Sequence, residues 1–205
     1  MDTFEKIARE DGYHIIAGVD EAGRGPLAGP VVAAAVVFPP GYSNPEINDS
    51  KKISPSRREK LFPVIENDAL SIGMKVVEAD IIDQVNILQA SLQAMREAVL
   101  ELSTSPDFLL VDGLHHIPII TPQKPLVRGD SLSVSIAAAS IIAKVTRDRI
   151  MEMYHRQYPH YNFRKNKGYG TREHLNAIRQ FGICKIHRQS FHVKNSKQAC
   201  LNFNV

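Results

Sequence analysis

The chain has 205 residues, of which 43% are hydrophobic and 23% charged, and its formal net charge is +3. This length predicts one domain, and this composition excludes a disordered or fibrous protein. No run approaches the roughly 18 consecutive apolar residues that a membrane-spanning helix requires. The acidic N-terminus, Met-Asp-Thr-Phe-Glu, lacks the apolar stretch of a secretory signal, and two cysteines are too few for a disulfide scaffold. We therefore expect a cytoplasmic protein without a membrane anchor.

The modest net charge hides an asymmetry between two parts of the chain. Residues 155–205 contain ten lysines and arginines but a single acid, Glu173, whereas residues 1–154 carry a net charge of −6. Seven of the fourteen Phe and Tyr residues also lie in 155–205. Basic residues interleaved with aromatic ones are typical of surfaces that bind a phosphate backbone and its bases. A solvated basic surface is the simpler alternative, but the aromatic and glycine residues in this segment favour a nucleic-acid partner.

Strand-like and helix-like segments alternate along the first half of the chain. The first strand ends on the carboxylate of Asp20, and a loop rich in glycine and proline follows it. Ser54 followed by Pro55 is typical of a helix start. In this half we predict helices at residues 5–10 and 54–66 and strands at residues 14–20, 31–38 and 71–77.

The second half continues this alternation. After Asp80 an apolar residue recurs every three or four positions, which predicts one amphipathic helix with a single buried stripe: Ile81, Val85, Leu88, Leu92, Met95, Val99 and Leu102. Residues 132–145 are apolar on nearly every face and predict a helix inside the fold. We also predict strands at residues 107–112 and 117–120 and a last helix from Thr171 to about residue 180. The order of these elements indicates an α/β fold with a central mixed β-sheet flanked by helices.

Acidic residues follow strand-like segments at three places: Asp20–Glu21, Asp112 and Asp130. If the strands that end on Asp20 and Asp112 lie side by side, their carboxylates converge at one edge of the sheet. Carboxylates without His or Cys form the hard-oxygen site that Mg²⁺ or Mn²⁺ prefers, and two such ions about 4 Å apart can activate a water for phosphodiester hydrolysis. Taken singly, each acid is better explained as a turn or capping residue. The buried strands and the basic segment together favour a metal site.

Two glycine-rich loops are candidate ligand contacts. The loop at residues 23–29, GRGPLAG, differs from a dinucleotide-binding loop because its third glycine is one position late and a proline interrupts it. Its glycines can instead bring backbone groups against a ligand, although a plain hairpin connection is the alternative. The segment GYGT at residues 168–171 precedes the last helix, whose N-terminus could hold a phosphate while Tyr169 stacks on a sugar or base.

Several sequence blocks extend this pattern over about residues 15–192. They read DEAGRGPLAGP at 20–30, NDSKK at 48–52, VDG at 111–113, GDS at 129–131, IAAASIIAKVTRD at 136–148, NKGYGT at 166–171 and HRQSF at 187–191. Together they resemble the ribonuclease HII family, the type 2 ribonucleases H. The GDS form is similar to the bacterial members, and Ala22 stands where the related type III enzymes usually have valine.

The resemblance implies a ribonuclease H-like fold, with a catalytic domain at residues 1–193 that includes a basic helical C-terminal segment, followed by a tail at residues 194–205. It implies hydrolysis of the RNA strand of RNA–DNA hybrids and incision of DNA on the 5′ side of embedded ribonucleotides, by two metal ions that leave 5′-phosphate and 3′-hydroxyl ends. The residues that match the ligands of Mn²⁺ or Mg²⁺ are Asp20, Glu21, Asp112 and Asp130. The residues that match substrate contacts are Gly23, Arg24 and Gly25 in the loop that senses the 2′-hydroxyl, Tyr169 beside the sugar, and Lys51 or Lys52 at a phosphate.

Two other functional classes remain open at this point. A non-catalytic nucleic-acid-binding protein would explain the basic segment but not the four acids, because carboxylates repel a phosphate backbone unless cations lie between them. A glycosidase would need an aromatic sugar cleft, and the segments around the acids contain no Trp. The adjacent His115 and His116 on an extended segment face opposite ways, so we interpret them as surface residues. Asp148 is interpreted as a structural ion pair, and we expect a monomer.

The C-terminal tail carries one more candidate interaction. Gln198, Leu201 and Phe203 are spaced like the Gln, Leu and Phe of short peptides that bind bacterial sliding clamps. Such tethering would raise the local concentration of the enzyme on DNA. A frayed terminus, or a segment packed on the domain, is the simpler interpretation.

Overall fold

The computed structural model describes residues 2–50 and 52–191. The strands are β1 (Ile16–Ala22), β2 (Val31–Val37), β3 (Ser71–Val77), β4 (Phe108–Asp112) and β5 (Gln123–Leu126). The helices are α1 (Thr3–Glu10), α2 (Pro55–Asp68), α3 (Ala79–Val85), α4 (Ile87–Leu100), α5 (Val134–Gln157), α6 (Phe163–Asn166) and α7 (Arg172–Phe181). Two short 3₁₀ turns lie at Gly129–Ser131 and Pro159–Tyr161.

The five strands form one mixed sheet in the order β3-β2-β1-β4-β5. The first three strands are antiparallel neighbours, while β4 lies parallel to β1 and β5 lies parallel to β4. Val19 of β1 pairs with Val111 of β4, so Asp20 and Asp112 are the next residues along two adjacent parallel strands. This arrangement confirms the predicted α/β fold with a central mixed sheet.

Helices cover both faces of the sheet, and β2 is therefore buried along its whole length. Alternate residues of β2 point to opposite faces, so Ala33 and Ala35 join the core beneath α3 and α4 while Val32 and Ala34 join the core beneath α2 and α5. A β-carbon at Gly18 of β1 would overlap the backbone of α5, so glycine there lets the helix approach closely. The helix α5 is buried along residues 134–143, as its sequence predicts, but it extends to Gln157 rather than ending near residue 145.

The predicted single helix after Asp80 is wrong, because the structure has two helices that meet at Asn86. Asn86 has a φ of +69°, which ends α3, and its side-chain oxygen accepts hydrogen bonds from the backbone N–H groups of Leu88 and Gln89, which begins α4. The buried face also differs from the predicted stripe, since Leu88 and Leu92 are only half-buried. Met95, Val99 and Leu102 of the predicted stripe are buried, and small residues complete the buried face: Ala90, Ala94 and Ala98.

A predicted strand at residues 117–120 is absent, and β5 forms from residue 123 onward instead. Pro118 and Pro122 lack the N–H groups that a strand ladder needs. The side chain of Gln123 accepts a hydrogen bond from the backbone N–H of Ile117 and donates one to its carbonyl, which satisfies this turn locally. Ile117 is buried by this arrangement, whereas Ile120 is 99% exposed.

The C-terminal helices pack around the glycine-rich loop that follows β1. Ala28 of the loop lies in one apolar cluster with Met151 of α5, Phe163 of α6 and Ala177 of α7. Thr171 caps α7, as predicted, because its hydroxyl accepts a hydrogen bond from the backbone N–H of His174 at 3.3 Å. Within the described ranges, no helix has the length and apolar character that crossing a bilayer demands.

Candidate active site

Asp112 is the last residue of β4, whereas Asp20 lies within β1, which continues to Ala22 rather than ending at Asp20 as predicted. The Asp20 side chain accepts a hydrogen bond from the backbone N–H of Glu21 at 2.7 Å. The Asp112 side chain accepts one from the backbone N–H of Gly129, also at 2.7 Å, which ties the end of β4 to the Gly129–Ser131 turn. Asp130, only 3% exposed, belongs to that turn. The structure thus places Asp20, Glu21 and Asp112 together at one edge of the sheet, and the turn that contains Asp130 is bonded to Asp112.

Burial and mutual repulsion make this cluster unfavourable in its fully ionised form. Asp20 is 4% exposed, and burial raises its pKa well above the ordinary value, with further contributions from the charges of Glu21 and Asp112. Burial likewise raises the pKa of Glu21, although the neighbouring Arg24 opposes this shift. A hydrogen bond from Ser140 of α5 favours the ionised form of Asp20. A bound cation would relieve the remaining penalty.

The donor set fits a hard divalent cation, because it consists of carboxylate oxygens alone. In the part of the chain that the structure describes, no three His, Cys, Asp or Glu side chains are already arranged to enclose a metal ion. The hydrogen bonds that Asp20 and Asp112 accept from backbone N–H groups leave further oxygen lone pairs on both carboxylates.

Ser140 also anchors the segment at residues 48–52 beside the acids. Its hydroxyl lies 2.8 Å from the hydroxyl of Ser50, and the guanidinium of Arg58 donates to the carbonyl of Ser50 at 2.7 Å. Lys52 in this segment is exposed and lies 3.6 Å from the carboxylate of Asp49. Its neighbour Lys51 is outside the described residues.

The loop that holds Gly23, Arg24 and Gly25 begins directly after the acids. The Arg24 guanidinium lies 3.5 Å from the Glu21 carboxylate, so this loop and the carboxylate cluster are in contact. Gly23 has a φ of +104°, a conformation that side chains disfavour, and a β-carbon there would overlap the Arg147 side chain. Gly23 is half-buried at this turn, whereas the following Arg24 and Gly25 are exposed.

Two buried arginines donate hydrogen bonds to the backbone carbonyls of this loop. The sequence alone did not reveal this role for either residue. Arg188 donates hydrogen bonds to the carbonyls of Gly23, Arg24, Pro26 and Gly29. Arg147 of α5 donates to the carbonyls of Ala28, Pro30 and Lys167. Burial lowers the pKa of both guanidinium groups, and the charge of Arg147 lowers the pKa of Arg188 further. Both residues lie in the sequence blocks described above, but nothing local shows that their partners are loop carbonyls.

Tyr169 faces the glycine loop from the C-terminal side. The ring is about half exposed, and its Cε1 atom lies 3.5 Å from the position that a β-carbon on Gly25 would occupy. The backbone carbonyl of the preceding Gly168 accepts a hydrogen bond from the N–H of Leu27 at 2.8 Å. Tyr169 and Gly25 therefore lie close to each other and share one exposed surface next to the acids.

The other residues singled out in the sequence are surface residues, an ion-pair residue, or residues outside the described part. His115 and His116 are exposed, as expected for surface residues. Asp148 is an ion-pair residue, with Lys144 at 2.6 Å and Arg58 at 3.8 Å, whereas the adjacent Arg147 is not its partner. Gln198, Leu201 and Phe203 fall beyond residue 191 and outside the described residues.

A mixed sheet with acids at or near the ends of its two central parallel strands defines the class of the ribonuclease H-like nucleases. The profile of the ribonuclease HII family matches residues 17–194. Ribonuclease HII of Syntrophus aciditrophicus is 70% identical over 98% of this chain and 95% of its own length. Ribonuclease HII of Geobacter metallireducens is 55% identical over 92% of this chain and 89% of its own length. The chain belongs to the ribonuclease HII family, which cleaves the RNA of RNA–DNA hybrids.

Solved structures agree with this assignment at the level of the fold. Ribonuclease H2 of Pyrococcus horikoshii superimposes with a TM-score of 0.73 at 27% identity, covering 86% of this chain and 93% of its own. A complex of ribonuclease HII with PCNA from Archaeoglobus fulgidus gives 0.74 at 24% identity, over 89% and 97% of the two chains. Bst-RNase HIII in complex with Mn²⁺ gives 0.60 at 18% identity, over 85% and 65%. Membership in a family of endoribonucleases excludes the glycosidase and the non-catalytic binding protein that the sequence had left open.

Proposed function

We propose that this protein is a divalent-metal-dependent endonuclease that cuts the RNA strand of hybrids and also incises DNA on the 5′ side of a single embedded ribonucleotide. The observation that carries this proposal is the exposed surface shared by Gly25 and Tyr169 beside the carboxylate cluster. A surface that combines exposed backbone with a half-exposed aromatic ring suits one sugar and its base rather than a long stretch of strand. Family membership supports the cleavage of hybrids, and this surface supports recognition of a lone ribonucleotide.

Asp20, Glu21, Asp112 and Asp130 would hold Mg²⁺ or Mn²⁺ in this proposal. A pair of such ions would supply an activated water and would stabilise the leaving oxygen of the phosphodiester. The Mn²⁺ complex of a type III relative supports this choice of ion. Asp20 and Glu21 contribute buried carboxylates whose repulsion a cation offsets. The 2′-hydroxyl is then recognised but does not attack, so the products carry 5′-phosphate and 3′-hydroxyl ends.

The chain's other residues would select and position the substrate. The backbone at Gly23, Arg24 and Gly25 would contact the 2′-hydroxyl, while the Tyr169 ring packs against the adjoining sugar. Lys52, or Lys51 in the part outside the described residues, would contact a phosphate. The anchoring of this segment through Ser50 and Ser140 supports such a contact near the acids.

A comparison of two duplexes tests the proposal directly. A DNA duplex with a single ribonucleotide is incubated with and without Mg²⁺ or Mn²⁺, next to an all-DNA duplex of the same sequence. We expect metal-dependent incision of the first duplex alone, on the 5′ side of the ribonucleotide. Cleavage that persists in EDTA, products with 2′,3′-cyclic phosphate ends, or equal cleavage of the all-DNA duplex would contradict it.

Metal binding has its own readout without substrate. Because a ligand that binds only the folded state stabilises it, Mn²⁺ should raise the melting temperature of the wild-type protein. The same addition should have a clearly smaller effect on Asp112→Asn, which loses one charged ligand. An equal shift in both proteins would place the bound ion elsewhere.

We further propose that the domain at residues 1–193 acts as a monomer and that the tail at residues 194–205 binds a sliding clamp through Gln198, Leu201 and Phe203. The PCNA complex of the archaeal relative supports the second idea. A peptide of residues 194–205, titrated against a bacterial clamp, should bind weakly. A peptide with Leu201→Ala and Phe203→Ala should not bind, and absence of binding by the unaltered peptide would end the idea.

A further inference from the structure

A pair of buried histidines connects the two segments that flank the glycine loop. The Nε2 atoms of His174 and His187 lie 3.0 Å apart, and the side chains are 0% and 4% exposed. His174 belongs to α7, and its Nδ1 atom lies 2.9 Å from the carbonyl oxygen of Tyr169. His187 lies beyond α7, and its Nδ1 atom is 2.9 Å from the backbone nitrogen of Cys184.

The partners of this pair determine where its protons lie. The carbonyl of Tyr169 can only accept, so His174 carries its proton on Nδ1 and its Nε2 atom is an acceptor. His187 must then donate from Nε2, which leaves its Nδ1 atom to accept from the N–H of Cys184. Two neutral rings satisfy this chain. The Sγ atom and the carbonyl oxygen of Cys184 also lie 3.1 Å and 3.2 Å from Nδ1 of His187, and a second proton on this ring would remove the acceptor of the shorter bond from the Cys184 N–H.

The surroundings favour these neutral rings. The aromatic rings of Tyr161 and Phe163 pack against both histidines. Burial lowers the pKa of His174, and burial together with repulsion from His174 lowers the pKa of His187 to about 4. The hydrogen bond between the rings is therefore complete at neutral pH.

Both connected segments are bonded to the glycine loop. On one side, Leu27 donates its N–H to Gly168, the residue before Tyr169. On the other side, Arg188 donates its N–H to the carbonyl of Leu27, and Gly29 donates to Ile186, so that His187 lies between two loop contacts. The hydrogen bond between the histidines links the two segments directly. It therefore helps to fix Tyr169 relative to the glycine loop.

We propose that His174 and His187 are positioning residues, whose shared hydrogen bond sets the position of the Tyr169 ring relative to Gly25 and thereby the efficiency of incision at a lone ribonucleotide. This inference rests on the proposed role of Tyr169 as a substrate contact. The histidines act through the backbone of Tyr169, since both are buried and shielded from substrate.

Two substitutions of His187 separate the bridging hydrogen bond from the rest of the side chain. His187→Gln places an amide N–H where Nε2 donates, whereas His187→Phe has a similar size and no donor. Both variants lose the acceptor for Cys184, so they differ in the bridge to His174. We expect His187→Phe to lower kcat/KM on a single-ribonucleotide duplex by at least about tenfold, while His187→Gln stays within about threefold of the wild type. Equal activities per folded molecule would overturn the proposal.

A double-mutant cycle shows whether the effect passes through Tyr169. If it does, His187→Phe should cost less than about threefold in a Tyr169→Ala background, because the positioned ring is already absent. If Tyr169→Ala lowers kcat/KM and His187→Phe lowers it by the same factor in both backgrounds, the positioning role is overturned while the substrate contact of Tyr169 stands. A Tyr169→Ala variant that incises like the wild type would instead overturn the substrate contact, and the positioning role with it.

The unaltered protein provides a test that does not depend on the folding of any variant. Nitrogen-15 chemical shifts of the imidazole rings at pH 7 should show His174 protonated on Nδ1 alone and His187 on Nε2 alone. Any other protonation pattern would overturn the proposal.

Discussion

Arg188 donates a hydrogen bond from Nη2 to the carbonyl oxygen of Gly23 at 2.6 Å, linking the end of the described chain to the turn that follows β1. The same guanidinium also bonds the carbonyls of Arg24, Pro26 and Gly29. These carbonyls point inward because the turn exposes the opposite side of its backbone. A planar group with five donors satisfies such a set, which a lysine ammonium cannot match.

Arg188→Lys should therefore weaken both the fold and the substrate preference. Several buried carbonyls would lose their partner, and we expect a loss of roughly 3 kcal/mol in the free energy of unfolding. Chemical denaturation measures this loss, and cleavage of hybrid and single-ribonucleotide duplexes measures function in the folded fraction. Arg179→Lys, at an exposed position on α7, is the matched control and should leave the unfolding midpoint near that of the wild type. Similar stability of the two variants would show that the hydrogen bonds of Arg188 are dispensable.

The sequence predicts the two glycines of this loop but not the arginine beneath it. Asp20 and Gly23 lie within one short motif, whereas the contact between Arg188 and Gly23 spans most of the chain. Periodicity indicates which residues are buried, and it carries no information on which distant carbonyl a buried arginine meets. The same limit applies to Arg147, whose side chain is bonded to the backbone of the loop and of Lys167.

Asp20→Asn should separate catalysis from stability. The buried carboxylate of Asp20 has a raised pKa, so its ionised form costs stability at pH 7 when no cation is bound. Asparagine keeps an oxygen that can accept from the N–H of Glu21 and removes the charge. We expect an unchanged or higher free energy of unfolding without metal, and a fall in cleavage of roughly 10²- to 10⁴-fold. Duplex binding should persist or tighten, because a negative charge that faces phosphates is gone.

Asp148→Asn is the control for this substitution, since it also neutralises a largely buried acid. Asp148 pairs with Lys144 and Arg58, so its loss should lower the free energy of unfolding by about 1–3 kcal/mol and leave cleavage by the folded protein close to the wild type. A parallel loss of stability and of binding in Asp20→Asn would assign that residue to folding instead.

The sequence identifies the candidate acids because they follow strand-like segments. It predicts that the carboxylates of Asp20 and Asp112 lie close together only if β1 and β4 are neighbours. The parallel pairing of these strands supplies that condition. The details that differ depend on single residues with local chemistry. Asn86 divides a predicted helix through its left-handed backbone, and Gln123 satisfies a turn where a strand was expected. Such side-chain hydrogen bonds compete with regular secondary structure, and the hydrophobic periodicity of the sequence does not reveal them.

The histidine pair should make stability depend on pH below neutrality. The folded-state pKa of His187 is lowered to about 4, below the ordinary value near 6.5, so the unfolded chain binds more protons between these values. Its stabilising contribution is complete above pH 6.5 and is lost as the pH falls toward 4. Asp20 and Glu21, whose pKa values are raised, contribute the opposite slope. Comparison of the wild type with His187→Gln in urea at several pH values cancels that contribution, and we expect a shallower acid decline in the variant. Identical slopes would show that His187 is not held neutral.

Alanine substitution at two glycines of one loop should affect two different properties, the stability of the fold at Gly23 and the cleavage activity at Gly25. Gly23 has a positive φ, and a β-carbon there would overlap Arg147 and crowd the carbonyl of Pro30, so Gly23→Ala should destabilise the fold by roughly 1–3 kcal/mol. A β-carbon on Gly25 would meet only the Tyr169 ring, at an ordinary contact distance of 3.5 Å, so Gly25→Ala should unfold like the wild type. The added methyl group nevertheless changes the exposed surface that Gly25 shares with Tyr169, on which the sugar of the ribonucleotide is proposed to pack. We expect Gly25→Ala to reduce incision at a single ribonucleotide by at least about tenfold at unchanged stability. Thermal unfolding and cleavage of the single-ribonucleotide duplex, measured on the same preparations, give both quantities. Wild-type cleavage by a stable Gly25→Ala protein would mean that the sugar does not pack on this surface.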